Sequence, residues 1–160
     1  MASGINIRRA EQKDLETVRK ITQTTIREIY PLYYPAGAVE FFSEHHSDEK
    51  IMRDIRAGIV YLLITDDETA AGTVTLTDNE IDRLFVLPQY QGKGYGRALL
   101  DFAEDAIAKA YDVMKLHASL PAKSIYLKRG FHEVDYLRID TGRGDYLCAD
   151  VMEKESGDAS

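Results

Sequence analysis

Between Phe85 and Leu100 the chain reads FVLPQYQGKGYGRALL, with glycines at the alternate positions Gly92, Gly94 and Gly96. An apolar run precedes them and an amphipathic one follows, so they stand where a strand gives way to a helix. A glycine inside a helix costs about 1 kcal/mol relative to alanine, so several at a helix start call for a compensating gain. The first N–H groups of a helix have no partner within it, and the peptide dipoles leave partial positive charge there. Without side chains in the way, a phosphate can approach those N–H groups closely. Lys93 and Arg97 add positive charge. The chemistry this spacing suits is capture of two bridged phosphates, mainly by main chain. An ordinary glycine-rich turn between strand and helix is the plain alternative.

Two familiar phosphate loops do not fit. G-x-x-x-x-G-K-[ST] requires a hydroxyl after the lysine, but Lys93 is followed by Gly94. That also argues against a nucleotide-dependent phosphotransferase. G-x-G-x-x-G places its third glycine where this chain has Arg97. A third pattern does fit: Q-x-x-G-x-G, as Gln91-Gly92-Lys93-Gly94-Tyr95-Gly96, resembles the acetyl-coenzyme A signature of the GNAT superfamily of N-acetyltransferases. The family places a strand and a proline before this loop, as in LFVLPQYQGKGYG. It carries N-x-x-A-x-x-x-Y-x-x-x-G-F further on. Here SLPAKSIYLKRGF matches at Ala122, Tyr126, Gly130 and Phe131 and departs at Ser119, where asparagine is usual.

The resemblance implies acetyl-coenzyme A as co-substrate and a primary amine, of a small molecule or a protein, as acceptor. Backbone groups of Leu84, Phe85 and Val86 would hold pantetheine, a backbone N–H near Val86 would meet the thioester oxygen, and Gln91 to Arg97 would hold the diphosphate. Ser119 falls in the second cofactor motif. Tyr126 is the implied acid for the departing thiolate, since a phenol with a pKa of about 10 is protonated at neutral pH; packing beside the cofactor is its alternative role. Glu80 lies fourteen residues before Gly94, the separation of the general-base glutamate in the family's histone acetyltransferase branch. Asp82 shares its strand face and could bind the amine. Many members instead use water held by backbone carbonyls, and both carboxylates also suit a solvated strand end. His117 can face the cleft or the surface. Tyr30, Tyr33 and Tyr34, with Phe41 and Phe42, occupy the family's most variable region, where aromatics either wall an acceptor pocket or pack inward. A fold that binds an acyl-coenzyme A without turnover, as a sensor, is the competing reading.

The elements that must position these residues follow from periodicity. INIRRA alternates as a short strand, and KDLETVRKITQTTIREIY has helical spacing with Asp14 as its cap. PLYYPAGAVEFFSEHHSDEKIMRDIRAG predicts a broken helical region ending at Gly58. IVYLLIT, AAGTVTLTD and EIDRLFVL predict an antiparallel meander. GRALLDFAEDAIAKAY is a helix burying Leu99, Phe102, Ala103, Ala106, Ile107 and Ala110. VMKLHASL is a strand, PAKSIYLKR a short helix, and FHEVDYLRI and GDYLCADVM two closing strands. The order predicts an α/β domain with a mixed, mostly antiparallel sheet of about seven strands flanked by about four helices. The family adds splayed strands that form the cofactor cleft. Residues 4–153 are expected to make one domain, with 1–3 and 154–160 as loose ends.

Of 160 residues, 44% are hydrophobic and the net charge is −7, which suits one soluble globular domain and disfavours bulk nucleic-acid binding. No apolar run approaches the roughly 20 residues that span a bilayer, and no membrane association is expected. Cys148 is the lone cysteine, consistent with a reducing, cytoplasmic setting. His45 and His46 are adjacent and His132 is distant, so no zinc spacing exists and no metal is expected. A homodimer is common in the family, although no residue here argues for one.

Overall fold

The computed structural model describes residues 4–157, and the expectations for 1–3 and 158–160 lie outside the described residues. Its seven strands are β1 (Asn6–Arg9), β2 (Val60–Ile64), β3 (Ala70–Thr77), β4 (Glu80–Val86), β5 (Val113–Ala118), β6 (His132–Asp140) and β7 (Tyr146–Glu155). They form one sheet in the order β1-β2-β3-β4-β5-β7-β6. Every neighbouring pair is antiparallel except β4 and β5. The meander read from alternation is therefore β2-β3-β4, and the parallel step is the crossover made by the helix after the glycine loop.

The helices are α1 (Leu15–Ile29), α2 (Ala36–His45), α3 (Asp48–Arg56), α4 (Tyr95–Ala108) and α5 (Lys123–Lys128). The broken region resolves into α2 and α3, and Ser47 starts α3 by accepting the Lys50 N–H at 3.3 Å. Asp14 does not cap α1. Its carboxylate takes Arg8 at 2.8 and 3.1 Å and the Glu11 N–H at 2.8 Å, and the Arg8 contact holds its pKa below the ordinary carboxylate range. Alternation sends Leu62 to the core under α1 and α2, and Leu63 to the core under α4 and α5.

Two departures shape the cleft. Strands β4 and β5 are in register only at Glu80↔Lys115 and Ile81↔Leu116 and then separate. Between Thr75↔Asp82 and Thr73↔Phe85, β4 carries one residue more than β3, a bulge that bends the strand and re-aims its groups. Arg83 sits in that bulge at φ 46°, a left-handed conformation that is unusual for a side chain of its size. Its guanidinium anchors it, donating to Thr75 Oγ1 at 2.9 Å, Asp54 at 3.0 Å and His46 Nδ1 at 3.3 Å.

The expected stripe on α4 is partly right: Leu99, Ala103 and Ile107 are buried, while Phe102 and Ala106 are half-buried and Ala110 is exposed beyond the helix. Glu104 is buried among them. The expected boundary at Glu153 is also displaced, because β7 runs to Glu155 and Lys154 is only 1% exposed. One interaction explains both: Lys154 Nζ meets Glu104 at 2.7 Å, and Arg129 Nε meets the other carboxylate oxygen at 2.6 Å. Removing one partner of a buried pair leaves the other charge uncompensated, at a cost of about 3–5 kcal/mol. Glu104→Gln is expected to lose stability of that order in urea unfolding, and a loss below about 1 kcal/mol would place the charges in a wetter site than their burial indicates.

Candidate functional site

After β4 the chain makes a 3-10 turn at Pro88–Tyr90 and enters the glycine loop. Gly92 and Gly94 have φ of 79° and 86°, so glycine is required there by backbone geometry. A Cβ on either would meet nothing within 4 Å, so the space above them is open. Gly94 occupies the cap position of α4 with no side-chain cap, which leaves the first helical N–H groups facing that space. Gln91 does not face it with its amide: the side chain turns back and donates to the Val86 carbonyl at 3.0 Å. Gln91, Gly92, Gly94, Gly96 and Arg97 line a cavity of about 790 Å³ that continues along Leu84, Phe85 and Val86. Lys93 and Tyr95 do not line it. Lys93 Nζ lies 5.8 Å from the Tyr90 ring centroid, and Tyr95 packs near that same ring. Lys128 at the end of α5 and Arg129 just after it do line it, and both escaped the sequence reading.

A second cavity, of about 520 Å³, opens on the other side of the β4–β5 separation. The two share Tyr30, Leu84, Phe85, Ser119, Ala122 and Tyr126 in their walls. Tyr126 stands at the junction on α5, buried, with its ring 5.8 Å from Phe131. Burial raises its pKa well above the phenol value, so its hydroxyl keeps its proton at neutral pH. Tyr30 is buried edge-on to Phe42 at 4.7 Å and is also pushed up, mainly by burial.

Glu80, Asp82 and His117 all line the second cavity. Glu80 faces Lys115 at 3.5 Å. Burial, then the neighbouring Glu80, pushes Asp82 up to about 7, against a smaller opposing hydrogen bond from Thr77. Asp82 therefore exchanges its proton nearer neutrality than an ordinary carboxylate does. The remaining tyrosines divide. Tyr34 is core and lines neither cavity; its hydroxyl accepts the Leu120 N–H at 2.7 Å and steadies the segment after β5. Tyr33 is 49% exposed and lines neither cavity. Adjacent residues in an irregular segment point apart, and only Tyr30 of the three reaches a cavity wall.

Several wall residues escaped the sequence reading: His45, His46, Lys50, Arg53, Asp54 and Arg83. Burial, then Arg83, drives His46 down to about 3, so it is neutral. A signal for part of the set exists, since Lys50, Arg53 and Asp54 recur at three- and four-residue spacing beside the buried Ile51–Ile55 stripe. The far wall comes from Leu137 and Ile139 of β6 and Leu147 and Ala149 of β7. Their connecting loop is tied to α2: Asp145 accepts the Gly37 N–H at 2.8 Å, and Arg143 pairs with Glu44. A Cβ at position 37 would overlap the Asp145 carboxylate.

This arrangement matches known proteins over most of its length. Residues 29–144 match the acetyltransferase (GNAT) domain family. The chain is 28% identical to a spermidine N(1)-acetyltransferase of Thermoplasma acidophilum, covering 95% of this chain and 98% of that one. It is 26% identical to an N-alpha-acetyltransferase of Sulfurisphaera tokodaii, covering 89% and 90%. Among solved structures, a GCN5-related N-acetyltransferase from Rhodopseudomonas palustris superposes with a TM-score of 0.86 at 20% identity, covering 97% of this chain and 98% of that one. The PaiA N-acetyltransferase from Thermoplasma acidophilum, solved in complex with coenzyme A, gives 0.73 at 25% identity, covering 97% and 99%. With the family model spanning well over half its length, the chain belongs to the GNAT acetyltransferase family.

Proposed function

We propose that this protein transfers an acetyl group from acetyl-coenzyme A to a primary amine. The observation that carries the reading is the meeting of two cavities at Tyr126, one reached from the glycine loop and the other lined by carboxylates. The residues present fit the co-substrate: open space above Gly92 and Gly94, bare N–H groups at the start of α4, and an unpaired β4 edge beside the same cavity. When bound, acetyl-coenzyme A supplies an acyl group activated as a thioester.

Main-chain N–H groups from Gln91 to Arg97 hold the diphosphate, with Arg97 and Lys128 adding positive charge along that wall. The β4 edge from Leu84 to Val86 pairs with the amides of the pantetheine arm as a further strand would. Glu80 and Asp82 attract the acceptor ammonium, and Asp82 takes its proton. The freed nitrogen bonds to the acyl carbon as the carbon–sulfur bond breaks, the Tyr126 hydroxyl gives its proton to the leaving sulfur, and the proton that the new amide nitrogen sheds restores the Tyr126 hydroxyl. A non-catalytic sensor has no need for a proton donor and a proton acceptor on the two sides of one junction.

The direct experiment mixes the protein, acetyl-coenzyme A and a panel of amines and follows free thiol; release that no amine accelerates would refute the enzyme reading. Tyr126→Phe is expected to lower kcat by about 10²–10⁴-fold, with coenzyme A affinity changed only a few-fold by calorimetry. Gly94→Glu is expected to abolish coenzyme A binding. Gly94→Ala, which shares the backbone strain but not the charge, should bind measurably, and equal loss in both would shift the blame to the fold. For Asp82 the sign is set by its raised pKa. The folded chain holds this proton more tightly than the unfolded one, so its stabilising contribution is complete below the unfolded value near 3.8 and is lost as pH rises through about 7. Asp82→Asn should therefore gain melting temperature over the parent between about pH 5 and pH 8. A gap that does not widen with pH would mean that Asp82 ionises as an ordinary surface carboxylate.

A further inference from the structure

We infer that the acceptor carries a carboxylate as well as its amine, and that Lys50 and Arg53 bind that carboxylate. The inference rests on the acetyl-transfer reading and specifies what the second cavity selects.

Lys50 and Arg53 lie three residues apart on α3, on one side of the helix, and both line the 520 Å³ cavity. Among the described residues Lys50 has no carboxylate within ion-pair distance; its ammonium lies 3.1 Å from His45 Nδ1 and 3.3 Å from His45 Nε2. The carboxylate that Arg53 reaches among the described residues is Asp54, whose Oδ1 lies at 3.9 Å and whose other oxygen is held by Arg83 at 3.0 Å. Of the α3 residues in this wall, the cations Lys50 and Arg53 thus outnumber the single carboxylate Asp54, which Arg83 of β4 also engages, in a chain whose net charge is −7. Burial and then the neighbouring Arg53 and Arg83 hold the Lys50 ammonium below its ordinary pKa, outweighing the opposing pull of Asp54 and Asp82. An anion beside it would remove that penalty.

The β4 side of the same cavity has the reverse imbalance. Glu80 and Asp82 have one lysine, Lys115 at 3.5 Å from Glu80, and Asp82 acts electrostatically on Lys50. A cavity with surplus acid on β4 and surplus base on α3 is complementary to a molecule that carries both signs. A polyamine satisfies only the first and would set a second ammonium against Lys50 and Arg53. The carboxylate could belong to a free amino acid or to an acidic side chain next to a peptide N-terminus. The recognising chemistry is the same.

The test compares matched acceptors that differ in one charge: γ-aminobutyrate with its amide, and the peptide amide Asp-Ala with Asn-Ala, with spermidine as the comparator. kcat/KM is read by thiol release, and binding by calorimetry on protein saturated with coenzyme A. The acid of at least one pair is expected to exceed its neutral partner by about tenfold or more. The pair that shows the preference identifies the source as free amino acid or peptide. In the Lys50→Gln, Arg53→Gln double variant that ratio should fall to near one, through KM. Equal use of acid and amide by the parent, an unchanged ratio in the double variant, or spermidine as the best acceptor would each overturn the inference. Turnover without charge preference removes this inference and leaves acetyl transfer intact. Calorimetric preference for the acids with no thiol release from any amine does the opposite.

Discussion

Main-chain N–H and C=O groups taken out of water must find partners, and β4 runs out of them after Ile81. Its pairing with β5 stops at Ile81↔Leu116, so the strand has a β3 neighbour on one side and an opening on the other. The rest of the molecule is arranged around that opening. The bulge at Arg83 turns the strand where the opening begins. Helix α1 closes its depth, with Thr25 Oγ1 within 3.5 Å of the Val86 carbonyl, and α5 brings Tyr126 to its centre. The unpaired edge separates two cavities and is also the surface both must share.

The parts of this design that were legible in the sequence are the local ones. Alternate glycines announce an uncapped helix start with open space above its backbone, because the spacing and its consequence lie within a few residues. Alternation gave the meander for the same reason. What could not be read were charges whose partners are distant in the chain. Lys154 looks like part of a polar tail until Glu104, fifty residues earlier, is placed against it. Arg83 looks like a solvated strand residue until Asp54 is brought over from α3. Tyr33 and Tyr34 differ because the segment between α1 and α2 has no period to say which faces inward.

The overall charge describes the site poorly. A chain with a net charge of −7 nevertheless places Arg97 and Lys128 along one cavity, and in the other sets Lys50, Arg53 and Arg83 against Asp54, Glu80 and Asp82. Long-range field and local potential are separate quantities, and a small enclosed site answers to the second. Burial sharpens this further: it makes His46 neutral and keeps the Tyr126 phenol protonated, which fixes what each group can do before any ligand arrives.

The loop between β6 and β7 meets α2 through one main-chain N–H and one surface ion pair. The glycine loop, by contrast, is continuous with β4 and α4 at the middle of the molecule. The outer wall of the second cavity and the glycine loop therefore reside in separable pieces of architecture. Lengthening or trimming the hairpin tip would reshape the outer compartment while the central frame stayed as it is. A scaffold divided in this way can change its client without relearning its reaction.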